Sequence, residues 1–132
     1  MGDILWIDRH ETLTIHAQQI AEHGGGVGVR DNGLLESALA RPQNLLAYSE
    51  ETLSLPHLAA AYAFGIARNH PFVDGNKRTA LVVSLTFLLV NGLALTASRD
   101  NRYFMFYDLA AGKLSEEELA KWLEVNTEPA SK

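Results

Sequence analysis

Five side chains able to do chemistry stand within nine positions, in the stretch His70-Pro-Phe-Val-Asp-Gly-Asn-Lys-Arg78. It offers an imidazole, a carboxylate, an amide, an ammonium and a guanidinium. Histidine is the side-chain type that changes charge near neutral pH, so His70 is a candidate general base. Asp74 is a candidate ligand for Mg²⁺, an ion commonly held by one or two carboxylates together with phosphate oxygens. Gly75 is free to take positive φ, and Asp74 or Asn76 can cap a helix that starts near Asn76. Lys77 and Arg78 then fall in that helix's first turn, where cations oppose the macrodipole. An anion such as phosphate, bound on the unpaired first-turn N–H groups, resolves the conflict. Base, metal ligand and phosphate cradle outline a phosphate-transfer site. Singly, each residue also has a structural reading: a loop histidine, an N-cap, a solvated helix end. It is their grouping that points to chemistry. The stretch is not a Walker A loop, because it lacks the first glycine and follows a helix rather than a strand.

The helix carrying this loop continues as Leu-Val-Val-Ser-Leu-Thr-Phe-Leu-Leu-Val to Val90, where Asn91-Gly92 stops it. Apolar on every side, it is expected at the buried centre of the molecule. The run is too short and too charged at one end to span a bilayer. Before it, Pro56 opens a helix over about His57–Asn69, whose Ala59-Ala60-Ala61 and Gly65 permit close approach to the central helix. Arg68 at its end reaches either the same pocket or a surface salt bridge.

Composition narrows the class. A chain of 132 residues, 47% of them hydrophobic, suits one folded domain over 1–132. The formal charge of −5, from 16 acidic and 11 basic residues, gives no general attraction for nucleic acid or anionic membrane. The absence of cysteine and of a basic, apolar leader at the N-terminus fits a cytoplasmic protein.

Along the chain, Ile4–Ile7 reads as a brief strand or an extended segment pinned to the core. A helix is expected over about Glu11–His23, with Leu13, Ala17, Ile20 and Ala21 inward and Ile15 off the stripe. His10, His16 and His23 recur at spacings of six and seven, not the i, i+4 of a helical metal pair, and read as surface residues. Gly24–Gly33 holds five glycines without a dinucleotide fingerprint, so a mobile loop is expected. Asp31 or Asn32 caps a helix over Leu34–Ala40 that Pro42 ends. Beyond Gly92, Leu93–Ala97 is extended. Asp100 caps a helix over about Asn101–Ala111, whose Tyr103, Phe104, Phe106 and Tyr107 read as core. Ser115 with Glu118 forms a capping box for a last helix with Leu119, Trp122 and Leu123 inward. Thr127–Lys132 is expected to fray. The fold class is all-α, a compact bundle of about six helices around a buried central helix, with at most short extended segments.

His70–Arg78 resembles the signature of the Fic/Doc (Fido) superfamily, His-x-Phe-x-Asp/Glu-Gly-Asn-Gly-Arg-x-x-Arg. The chain departs from it at Lys77, in place of the second glycine, and at Leu81, in place of the last arginine. Those departures, with Thr79-Ala80, match the death-on-curing (Doc) toxins. Gly24-Gly-Gly-Val-Gly-Val-Arg-Asp31, Leu34–Pro42, Asn91-Gly92 and Ala110–Ser115 extend the likeness along nearly the whole chain. The resemblance implies a Fic/Doc-like helical fold and the toxin of a toxin–antitoxin pair. It implies an enzyme that uses ATP and Mg²⁺ to phosphorylate a protein hydroxyl, in the family a threonine of elongation factor Tu. On this basis His70 is the base, Asp74 orients Mg²⁺, Gly75 and Asn76 cradle phosphate, and Lys77 and Arg78 neutralise it. Phe72 anchors the loop, and Val27–Arg30 is a flap that aligns the protein substrate. A lysine at 77 and the missing arginine at Leu81 favour phosphorylation over AMP transfer. The alternatives are an adenylyltransferase and a catalytically silent interaction protein; a DNA-binding regulator lacks a basic face. The inhibitory motif Ser/Thr-x-x-x-Glu-Gly/Asn is missing from the sequence, so control falls to a separate antitoxin whose disordered tail folds on binding. Leu34, Leu35 and Leu39 form either a wall of its groove or part of the core.

Overall fold

Among the described residues, five of the six helices begin at a side chain that accepts a hydrogen bond from the first turn, and one does not. The structure, a computed structural model, describes residues 3–130. The Asp8 side chain accepts from Glu11 N and the Glu11 side chain accepts from Asp8 N, a capping box that starts α1 (Arg9–His23) two residues before the expected Glu11. Asp31 caps α2 (Asn32–Tyr48), Ser54 caps α3 (Leu55–Asn69), and Ser115 with Glu118 boxes α6 (Glu116–Val125). For α5 (Arg99–Ala110) the cap is Ser98, not the expected Asp100. The exception is α4 (Asn76–Val90), whose N-cap is Gly75.

Pro42 does not end its helix. It lies buried inside α2, on an apolar row formed with Leu35, Leu39 and the partly buried Leu46. An interior proline costs about 3 kcal/mol. Burying Leu35 and Leu39 alone returns roughly 3–6 kcal/mol, at 1.5–3 kcal/mol per large aliphatic side chain. The two leucines therefore belong to the core rather than to a groove wall, and Leu34 is half-buried. This row packs on α3, where a Cβ added at Gly65 would stand 2.9 Å from the Cα of Ala38.

The buried central helix of the bundle is α3, not the α4 that its hydropathy suggested. It buries ten of its fifteen residues and packs against α2, α4, α5 and α6. Small side chains let neighbours close in on every side of α3. By contrast, the far end of α4 reaches solvent, with Leu89 57% and Val90 44% exposed. The expected α3–α4 contact is present: Ser84 Oγ donates to Ala59 O at 3.2 Å.

The first and last described segments are each tied to the rest of the fold. Leu5 N and O bond the Asn91 side chain, and Ile7 N donates to the Tyr62 hydroxyl at 3.0 Å, so Ile4–Ile7 is the pinned, extended segment. Strand β1 (Leu93–Leu95) pairs antiparallel with β2 (Thr127–Pro129), with Leu93 opposite Pro129 and Leu95 opposite Thr127. That pairing holds the tail that was expected to fray from Thr127; its last two residues, Ser131 and Lys132, lie outside the described residues. Among the described residues no helix is long and apolar enough to cross a membrane.

Candidate active site

The loop between α3 and α4 is built around one buried amide. Helix α3 stops at His70, whose φ of 51° and ψ of 56° make it the lone non-glycine residue with positive φ among the described residues. Histidine is one of the few side chains enriched there. Phe72 then inserts into the core, 1% exposed. Asn76 folds back over it: Oδ1 accepts from Phe72 N and Nδ2 donates to Phe72 O, both at 3.0 Å. The same Nδ2 lies 3.5 Å from His70 Nδ1, at the outer edge of a hydrogen bond.

Neither expected residue caps α4. Asn76 is spent on Phe72, and Asp74 is turned to the loop, its Oδ1 accepting from Gly75 N at 2.8 Å and its Oδ2 from Gly26 N at 3.3 Å. Gly75 at φ 76° leads into the helix with no side-chain acceptor for the first turn. This bare terminus, with its partial positive charge, opens on a cleft of about 330 Å³. His70 and Val73–Arg78 line one side of the cleft. Leu81, one turn further along α4, and Tyr103, Phe106 and Tyr107 of α5 complete the lining.

Charge in the cleft is mixed. The N–H groups of Gly75 and Gly26, and more weakly Arg78 and His16, hold the Asp74 carboxyl below its usual range. Each Asp74 oxygen keeps a second lone pair. One carboxylate beside a phosphate-binding terminus fits a divalent cation whose other ligands are phosphate and water, not an all-protein cage. Among the described residues no group of three or more His, Cys, Asp or Glu side chains is placed to make such a cage. Lys77 Nζ lies 4.6 Å from the centre of the Tyr107 ring, and Arg78 donates to Gly24 O at 3.3 Å while its Nε is buried without a partner. Arg68 turns away and stacks over Phe64 at 5.5 Å, outside the cleft lining.

Three features differ from the sequence reading. Tyr103, Phe104 and Tyr107 are not core: all three are exposed, Phe104 at 65%, and the i, i+4 spacing of Tyr103 and Tyr107 on α5 presents those two to the cleft, while Phe106 alone of the four is buried. His10 and His23 are exposed, but His16 is buried, its Nε2 2.8 Å from Asp74 O and its ring 3.9 Å from Phe72 at 8°. The buried face of α1 is Thr12, Ile15, His16 and Ile20, with Ala17 and Ala21 outside. Nor is Gly24–Gly33 a free loop. Val29 bridges to Phe72, Gly28 O accepts from Val73 N at 3.1 Å, and Arg30 grips the carbonyls of Asn69 and His70 at 2.9 and 2.7 Å. Glycine suits position 25 because its φ is 121°, and a Cβ there would also push on Asp74 Oδ2, 2.6 Å away.

Comparison with known proteins places this geometry in context. A family model described as the Fic/DOC family matches residues 6–88, a span that holds the loop and ends before α5. A protein named Toxin Doc from Mycolicibacterium smegmatis is 46% identical over 95 residues, 72% of this chain and 71% of that protein. The Protein kinase doc of Escherichia phage P1 is 40% identical over 87 residues, 66% of this chain and 68% of its own length.

Proposed function

The chain belongs to the Fic/DOC family, and from that premise we propose that it is a Doc-type toxin of a toxin–antitoxin pair. In this reading residues 1–132 act as one domain in the cytoplasm. The protein transfers the γ-phosphate of ATP to a hydroxyl of a translation factor, elongation factor Tu by the family resemblance, and so halts growth. The names of the two relatives, a toxin and a protein kinase, support it. The observation that carries it is the uncapped N-terminus of α4, opening on a cleft that also holds an imidazole, a carboxylate and two cations.

The residues divide the work. His70 takes the proton of the substrate hydroxyl as its oxygen attacks the γ-phosphorus and the bridging P–O bond breaks, releasing ADP. Backbone N–H groups after Gly75 receive phosphate oxygens, with Lys77 and Arg78 beside them to offset charge. Asp74 is the residue that would hold Mg²⁺, and Mg²⁺ when bound supplies further neutralisation of the phosphate oxygens. Phe72 and Asn76 fix the loop from below. Lys77 occupies cleft space that glycine would leave free, and Leu81 presents hydrocarbon where the family pattern has arginine. Both favour γ-phosphoryl over AMP transfer. A separate antitoxin, binding through a tail that folds on contact, restrains the enzyme.

The test is incubation with elongation factor Tu, Mg²⁺ and ATP labelled at either the α or the γ phosphate, with His70→Ala alongside. Transfer of γ label that the variant lacks is expected. Transfer of α label would return the protein to AMP transfer, and label on neither, with growth arrest unaffected by His70→Ala, would leave a silent interaction protein.

A further inference from the structure

His16 belongs to α1 and lies 58 positions from Asp74 in sequence, yet its Nε2 is 2.8 Å from the Asp74 carbonyl oxygen. A carbonyl only accepts, so the hydrogen of this bond is carried on Nε2. The ring has little freedom: it is 5% exposed and stacks on Phe72 with centroids 3.9 Å apart and planes 8° apart. Ile20, one turn on, completes the support, since a Cβ on Gly75 would stand 3.1 Å from Ile20 Cδ1 and 3.8 Å from His16 Nε2. The Asp74–Gly75 peptide therefore rests on α1. That peptide is the hinge between the Asp74 carboxylate and the bare end of α4.

We propose that His16 is a positioning residue for the phosphate-binding half of the site: its Nε2–H fixes the Asp74 carbonyl, and with it the direction of the Asp74 carboxylate and the first N–H groups of α4. The proposal rests on the nucleotide-transferase reading given above. Arg30 holds the other end of the loop, at the carbonyls of Asn69 and His70. The two supports come from different segments and act on different groups. Loss of His16 is thus felt by metal–nucleotide binding, not by the base. Stacking on Phe72 does not by itself call for histidine, because another flat aromatic ring such as phenylalanine can stack there too. What phenylalanine lacks is the donor.

The experiment compares wild type, His16→Phe and His16→Gln. Glutamine carries an N–H donor at about the reach of Nε2. Calorimetry measures ATP binding with Mg²⁺ and, separately, in chelator; ¹⁵N spectra report the His16 ring and the Gly75 amide. The expected result is an affinity for Mg·ATP about tenfold weaker in His16→Phe, the scale typical of losing a residue that orients a metal ligand. Binding in chelator should weaken too but by less, since only the N–H groups of α4 are then affected, and His16→Gln should recover most of the loss with similar thermal stability. Unchanged Mg·ATP affinity in a folded His16→Phe overturns the proposal, as does an equal loss in His16→Gln. If wild type binds no nucleotide, the transferase reading fails and the spectra decide the role of His16. A hydrogen on Nε2 and a Gly75 resonance displaced in His16→Phe alone support it. A hydrogen confined to Nδ1, or a Gly75 resonance unmoved, refutes it.

Discussion

Replacing Asn76 by alanine should unfasten the loop from within. Asn76 is 6% exposed, and its amide bonds both Phe72 N and Phe72 O. The neighbouring bridge to the glycine loop runs instead through Pro71 O and Val73 N, so it offers Phe72 no substitute. Alanine thus strands one donor and one acceptor against the core, at about 1–3 kcal/mol each. Better helix propensity at position 76 returns less than ~0.7 kcal/mol. A net loss of roughly 2–5 kcal/mol follows, a large part of a typical folding free energy of about 5–15 kcal/mol. At roughly 3–5 °C per kcal/mol for a chain of this size, Tm falls by about 6–25 °C.

Urea unfolding followed by circular dichroism measures this, with an unchanged slope showing that the same surface is exposed. Asn76→Asp is the control. It keeps the acceptor for Phe72 N but turns an oxygen toward Phe72 O, so at neutral pH it should be at least as unstable as alanine. Protonation in acid restores a donor, and part of the loss should then be recovered. A loss below about 1 kcal/mol for Asn76→Ala at constant slope would refute the clasp. Activity lost without stability would mean that Asn76 meets the phosphate directly instead.

Gly65→Ala should destabilise by about 1–3 kcal/mol despite alanine's better helix propensity, because the new Cβ meets Ala38 backbone at 2.9 Å; an unfolding midpoint at or above wild type would show that α2 can yield. Burial raises the Tyr62 hydroxyl from 10.0 to about 12, so its contribution is full below pH 10 and is lost as pH rises through 12. The stability gap between wild type and Tyr62→Phe should therefore narrow across that window, and a constant gap would argue against a buried hydroxyl on Ile7. Asp74 shifts the other way: held below its ordinary 3.8 by the N–H groups of Gly75 and Gly26, it favours folding above pH 3.8. The advantage of wild type over Asp74→Asn should fade as pH falls from 5 toward 2, measured by urea unfolding; a gap that widens in acid would contradict those bonds.

What was legible in the sequence is what local chemistry settles. Asp31, Ser115 with Glu118, and Asn91-Gly92 mark helix ends because each satisfies backbone groups within a few residues of itself. The candidate loop stood out for the opposite reason: Lys77 and Arg78 break a local rule by charging the positive end of α4. Such violations are where functional sites are expected. What stayed hidden breaks no local rule. Pro42 continues α2 because of the row it buries against α3, a partner lying outside its own segment. Rotating α1 by about one residue sends Ala17 to solvent and His16 beneath Asp74, and the weak amphipathic pattern of α1 cannot choose between those rotations. On α5, Tyr103 and Tyr107 have the spacing of core residues, and only the position of α4 makes their face a cleft wall. The candidate groups lie in one short loop and the first turn of α4, but the hydrogen bonds that hold the loop come from His16 and Arg30, on α1 and the glycine segment. A motif search therefore finds the chemistry and misses what aims it.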